Sequence, residues 1–567
     1  MTQDYTFQFS KSSKYLNATL LIIPMVLLFI GIYGGLMQTF FRAGIIQSDP
    51  FVGGDYYKGL TFHGVLNAIV FTTFFAVALG NALIPYALKK NLNTKIAWAS
   101  GILMLGGSVL AAIMILVGEA TVLYTFYPPM KAHPLFYVGL VLLVVGSWLA
   151  SYNWVPIYLE WRKENPGKKT PLSVVGMLTT FIIWFIATLA VAVEILFMLL
   201  PWSMGLVDEI NVMLARTLFW FFGHPLVYFW LLPAYVMYYV FLPKISGGKL
   251  YSDMAGRLVF MMFILFSIPV GTHHQYMDPA IGAQWKLLHG IFTFAVALPS
   301  LITAFTIAAS LEYSARLRGS KGYFNWLWNQ PYFDKEKWFF PYLILGLIIF
   351  IFGGIGGIVN ASYQMNTIVH NTAWIPGHFH LTVAGPVLLA FLGGSLYLIG
   401  QFMNKEIRLK SWAMISPYVY TIGLFIMSYG LKVGGLKGMP RRTNTGASYA
   451  NPDSTLFQPD WVFYIDLSVV GGIIMFVGIV MYLVSFFGTV FAKADPETRE
   501  EGATVTFPIS ESLHDEEAKW LRNFKPYIII AIILIVLSYT PVIYDVLQAT
   551  YEGSLPFSPD SPVPLRD

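Results

Sequence analysis

Residues 370–402 read HNTAWIPGHFHLTVAGPVLLAFLGGSLYLIGQF. His370, His378 and His380 crowd into its first third, although the 567-residue chain holds only ten histidines. Pro376 and Gly377 mark a break, and the apolar run over 374–402 is long enough to cross the ~30 Å hydrocarbon layer of a bilayer. The stretch therefore places imidazoles at the mouth of an apolar helix.

Runs of this kind recur along the whole chain, which is 56% hydrophobic and 11% charged. A water-soluble protein of this length would carry far more polar surface. Apolar segments fall at roughly 17–41, 60–88, 96–118, 135–158, 172–200, 214–242, 257–275, 287–312, 339–363, 374–402, 412–434, 462–492 and 526–548. The expected fold is an all-α integral membrane protein of about thirteen transmembrane helices, one domain over 1–567. The lead MTQDYTFQFSKSSKYLNATLL is mixed in charge and runs into a full-length span, so it reads as a first membrane helix, not a cleavable signal.

There are no cysteines. That excludes disulfides, iron–sulfur clusters, thiolate zinc sites and a c-type haem attachment. Any metal must be held by His, Met or oxygen ligands. A net charge of +5 suits loops biased toward Lys and Arg and leaves no nucleic-acid footprint. Of the 35 Lys and Arg, 25 lie in the N-terminus and the loops after even-numbered segments. The N-terminus is expected in the cytoplasm and the C-terminus outside.

With that orientation, depth follows at ~1.5 Å per residue. His63 lies inside the outer end of the second segment, and His224 about ten residues inward on the sixth. His273 and His274 close the seventh, and His378 and His380 open the tenth. Taken singly, each reads equally well as an interhelical hydrogen-bonding residue. Six sharing one outer layer point instead to a common function, since ionisable groups within the membrane are costly.

Residues i and i+2 on a helix diverge by ~200°. His378 and His380 therefore face opposite sides of the tenth helix and cannot bind one metal together. One could pair with His63 to give a six-coordinate haem, and the other could hold a haem with an open position. His224, His273 and His274 then form a three-imidazole set suited to copper. Tyr228 lies one turn beyond His224 on the same face. With 33 tyrosines in the chain, packing explains that spacing as readily.

These stretches resemble subunit I of the haem–copper oxidases: LTFHGVLNAIVF with His63, GHPLVYFWLLPAY with His224 and Tyr228, PVGTHHQY with His273 and His274, and VHNTAWIPGHFHL. The resemblance covers essentially the whole chain. It implies that His378 binds the high-spin haem iron, His63 and His380 the low-spin haem, and His224, His273 and His274 copper. It further implies that Tyr228 is cross-linked to His224 and catalytic. Thirteen helices and EATVLYTFYPP at 119–129 look most like the B-type branch. Leu226 stands where A-type members carry Glu, so the glutamate-ended proton route is expected to be missing.

One remaining proton path is expected along Tyr228, Tyr235 and Tyr239, which share a face of the sixth helix, with Ser300, Thr303 and Thr306 on the eighth. Ordinary interhelical hydrogen bonding is the competing reading. Arg441 and Arg442, with His370 and Asn371, resemble haem-propionate contacts. Some B-type members carry Asp where this chain has Asn366. The resemblance implies a low-spin haem of b type, a high-spin haem of a or o type and one copper ion. It also implies a subunit II carrying the copper centre where electrons enter, and cytochrome c or a similar donor. The reaction expected is four-electron reduction of O2 to water with proton uptake and pumping, in a prokaryotic plasma membrane. The alternatives are a nitric oxide reductase, whose members lack the tyrosine, a non-catalytic b-type cytochrome, and a transporter, which would place its site at the midplane.

Overall fold

The computed structural model describes residues 7–443, 451–493, 505–516 and 518–551. Residues 1–6 of the lead and the C-terminal residues beyond 551, to which the expected orientation assigned opposite sides, lie outside them. Twelve helices among the described residues are long and apolar enough to span a membrane. They are α1 (Lys11–Arg42), α2 (Tyr56–Leu88), α3 (Thr94–Leu116), α4 (Pro134–Glu164), α5 (Leu172–Ser203) and α6 (Val212–Ile245), then α8 (Ala283–Leu317), α9 (Phe340–Ala361), α10 (Trp374–Met403), α11 (Lys410–Leu436), α12 (Trp461–Phe491) and α13 (Lys525–Ala549). Between α6 and α8 lies the shorter α7 (Asp253–Phe266).

The seventh segment is the one that departs from the expected continuous helix over 257–275. Its α-helix stops at Phe266, and the chain re-forms as a 3-10 turn at Gly271–Gln275. Pro269 explains the break, because its ring disfavours helical geometry at the preceding residue and it donates no hydrogen bond. His273 and His274 therefore sit on a tight turn beyond the helix.

The bilayer decides which faces are buried. On α13, Ile529, Ile530, Ile532, Ile533, Val536 and Leu537 are exposed, while Ala531, Tyr539 and Val542 are buried against the bundle. Apolar side chains on the outside are what hydrocarbon solvent permits. Helices at the rim pack through small residues: a methyl on Gly423 of α11 would lie 2.5 Å from the Gly471 carbonyl of α12. By contrast, every residue of Thr72–Leu88 in α2 is buried. The enclosed helices α2, α6 and α10 carry four of the six clustered histidines.

Two of these helices change pitch at a histidine. α2 runs as a π-helix over Val65–Phe71, starting two residues after His63. α10 does so over His380–Ala384, starting at His380 itself. Such wide turns recur at functional sites because they re-aim side chains without ending the helix.

Candidate metal centre

His63 on α2 and His380 on α10 face each other with ring centres 5.9 Å apart and planes 12° from parallel. Two imidazoles sharing one ion at roughly 2 Å per nitrogen place their ring centres about 6 Å apart. Direct stacking is much closer, as between Trp220 and His274 at 3.7 Å. The wider gap suits an intervening metal.

Hydrogen bonds fix which nitrogen is free. His63 Nδ1 lies 2.9 Å from the Gly31 carbonyl and His380 Nδ1 2.6 Å from that of Pro376. His378 Nδ1 lies 3.1 Å from the Gly353 carbonyl. A carbonyl only accepts, so each Nδ1 carries the proton and each Nε2 keeps its lone pair for a ligand. Glycines make room for these rings. A methyl on Gly35 would come within 2.4 Å of His63 Nδ1, and one on Gly356 within 2.8 Å of His378 Nδ1.

His224, His273 and His274 offer ligand nitrogens all within 4.8 Å of one another. His224 Nδ1 and His274 Nε2 are 3.2 Å apart, close to the roughly 3.3 Å expected for two imidazoles on one tetrahedral ion. His273 Nδ1 donates to Thr293 Oγ1 at 3.0 Å, and that hydroxyl donates onward to the His289 carbonyl at 2.6 Å. His273 Nε2 is left as its ligand atom. His224 Nε2 is buried without a partner, and its ring centre lies 4.8 Å from that of Tyr228.

One cavity of about 630 Å³ is lined by all six histidines together with Tyr228, His370, Arg441 and Arg442. Its size is in the range of cofactor sites. At one end of it a short antiparallel bridge joins Thr372 to Pro440. Arg441 donates from Nε to Asn371 Oδ1 at 3.1 Å and from its backbone N–H to the Asn371 carbonyl at 3.2 Å. Burial and the neighbouring Arg442 guanidinium push Arg441 down to about 9. A cation in that state wants an anionic partner, and a carboxylate in the cavity would supply one. His370 Nδ1 donates to Asn366 Oδ1 at 3.1 Å, while Asn366 Nδ2 donates to the Asn360 carbonyl at 2.8 Å. Burial, with Arg441 nearby, holds His370 down at about 4, so it is neutral at pH 7. Asn366 thus orients this imidazole without adding charge.

The polar ladder expected between α6 and α8 is assembled in part. Tyr235 donates to Ser300 Oγ at 3.0 Å, and Tyr239 and Thr303 hydroxyls lie 2.8 Å apart. Thr306 donates to the Ile302 carbonyl of its own helix instead. Tyr228 and Ser300 both line the cavity.

Residues 17–474 match the family described as cytochrome c and quinol oxidase polypeptide I. Cytochrome c oxidase subunit 1 of Thermus thermophilus is 42% identical over 500 residues, 87% of each chain. The chain belongs to the haem–copper oxidase subunit I family. Ubiquinol oxidase subunit 1 of Acetobacter aceti is 23% identical over 87% of this chain and 72% of its own. A solved structure described as a heme-copper terminal oxidase dimer superposes with a TM-score of 0.93 and 49% identity, covering 98% of this chain and 97% of that one.

Several supports of this haem–copper oxidase site escaped the sequence reading. Thr293 is one. Another is the ion pair between Arg216 and Asp278, with contacts of 3.0 and 2.9 Å, which anchors the turn carrying His273 and His274. Lys286 Nζ closes the same turn on the Tyr276 and Asp278 carbonyls, both at 2.8 Å. His289 shares the histidine layer, but its Nδ1 accepts from the Thr272 N–H and its Nε2 donates to the Ser538 carbonyl, so neither nitrogen is spare. Only the tertiary partners separate it from the ligands.

Proposed function

We infer that this chain is the catalytic subunit of a respiratory terminal oxidase in a prokaryotic plasma membrane, reducing O2 to water with proton uptake and pumping. The observation that carries the reading is the division of labour on α10. His380 faces His63 across a metal-sized gap, while His378 turns to α9, and the three-histidine cluster opens into the same cavity.

His63 and His380 are proposed to hold a low-spin haem of b type, and His378 a high-spin haem of a or o type. His224, His273 and His274 are proposed to hold one copper ion. Bound there, these metals supply the closely spaced redox centres through which oxygen receives four electrons. The chain's own residues do the rest. Backbone carbonyls hold His63, His378 and His380 each in one tautomer, and Thr293 does the same for His273. Tyr228 stands beside His224 as the proposed cross-linked phenol, placed to give a proton and an electron at the metal pair. Arg441, Arg442, His370 and Asn371 are the proposed propionate contacts. Tyr235, Ser300, Tyr239 and Thr303 form two rungs of a proton path from the cytoplasmic side, to which Tyr228 and Thr306 are proposed to add the ends.

Leu226 and the match to the Thermus subunit favour the B-type branch. A subunit II with an electron-accepting copper centre and cytochrome c or a similar donor complete the proposal. Spectra of the purified oxidase, reduced and then exposed to carbon monoxide, test it together with metal analysis. Two haems with one reacting and one copper per chain are expected. A single unreactive haem without copper would leave a simple cytochrome.

A further inference from the structure

Lys432 lies on α11, four residues before its outer end, and the sequence gives it no motif. Its neighbour Lys437 behaves as an ordinary interfacial lysine, exposed and paired with Asp460 at 2.8 Å. Lys432 does the opposite. Its stem runs against Gly377 of α10, where a methyl group would meet Lys432 Cγ at 2.7 Å. Its ammonium lies 4.3 Å from the ring centre of Trp374, and Trp374 is buried. The head group then ends at Gly356 of α9. A methyl there would lie 3.4 Å from Lys432 Nζ and 2.8 Å from His378 Nδ1. The lysine and the imidazole converge on one glycine from two sides.

Three features make this a directed charge. No ion pair among the described residues neutralises it, and its contact is with an aromatic face. Gly377 and Gly356 together open the slot that lets it turn inward; a snorkelling lysine would need neither. The proton on His378 Nδ1 is already committed to the Gly353 carbonyl, so the ammonium has no hydrogen bond to make there. What remains is its field, acting at close range from a half-buried position.

We propose that Lys432 is a positioning charge that raises the reduction potential of the haem held by His378. This rests on the reading of His378 as a haem ligand. A fixed cation beside the iron-bound imidazole disfavours the more positive ferric state and favours the ferrous one. Local charge and dielectric are recognised levers on haem potential. The effect would draw electrons from the His63–His380 haem toward the site where oxygen is reduced.

Redox titration of the assembled oxidase, followed by haem absorbance, tests the inference in wild type, K432M, K432Q and K432R. Carbon monoxide first identifies the reactive haem in wild type; failure to find one would refute the functional reading itself and not this inference. At fixed potential the reduced-to-oxidised ratio of that haem is expected to fall roughly tenfold in K432M and K432Q, a shift of about 59 mV for one electron. K432R is expected to restore it, and the other haem to stay unmoved. An unchanged ratio in K432M and K432Q, an equal shift in K432R, or loss of the haem from all three variants would overturn the proposal.

Discussion

At the scale of single residues, the site is a set of imidazoles whose spare nitrogens have been chosen by their other hydrogen bonds. Thr293 makes the case most clearly, because its hydroxyl accepts from His273 while donating to the His289 carbonyl. Thr293→Val keeps the shape and removes the acceptor. Removing such a support typically costs 10–100-fold in metal affinity. The variant is therefore expected to lose copper to a competing chelator at correspondingly lower concentration, with both haem spectra intact; copper retention equal to wild type would refute the assigned role. That these histidines gather at one cavity was legible from sequence, since charge in the membrane is rare and helical rise converts position to depth. Their supports were not. Gly31 and Gly353 meet His63 and His378 across 32 and 25 residues of chain, and no local pattern announces such a meeting.

At the scale of elements, apolar length located the twelve long helices of the described residues and the start of the shorter α7, because hydrocarbon demands internally satisfied backbone over a fixed thickness. It did not show that α7 would stop at Phe266, or that α2 and α10 would widen into π-turns at their histidines. A π-turn shifts helical phase over a few residues and leaves no periodic signature of its own. The α6–α8 ladder was legible as spacing, yet only the structure shows that Tyr239 pairs with Thr303 while Thr306 turns back on its own helix. Tyr239→Phe removes one hydroxyl from an otherwise buried, aromatic position. Turnover of oxygen and the proton uptake that accompanies it are expected to slow at least about tenfold, with haem spectra unchanged. Wild-type turnover would remove Tyr239 from the path.

At the scale of the whole molecule, the lipid-facing surface and the Lys and Arg bias set the frame within which depth has meaning. A chain without cysteine makes the frame easy to test. Lys321 and Thr455 are exposed in loops expected on opposite sides. A membrane-impermeant thiol reagent should label Lys321→Cys only from the cytoplasmic side and Thr455→Cys only from outside. Labelling from the reverse sides would invert the orientation and with it the direction assigned to the proton path. The deepest claim, however, concerns one rod of protein. α10 is held to separate two haems by turning His378 and His380 apart, a division readable from a two-residue spacing and supported by their different partners on α9 and α2.

Haem absorbance of the His378→Leu and His380→Leu oxidases, with and without carbon monoxide, measures that division most directly. The account predicts that His380→Leu loses the unreactive haem and keeps the carbon monoxide-binding one, and that His378→Leu does the reverse. Loss of the same haem from both variants would contradict it.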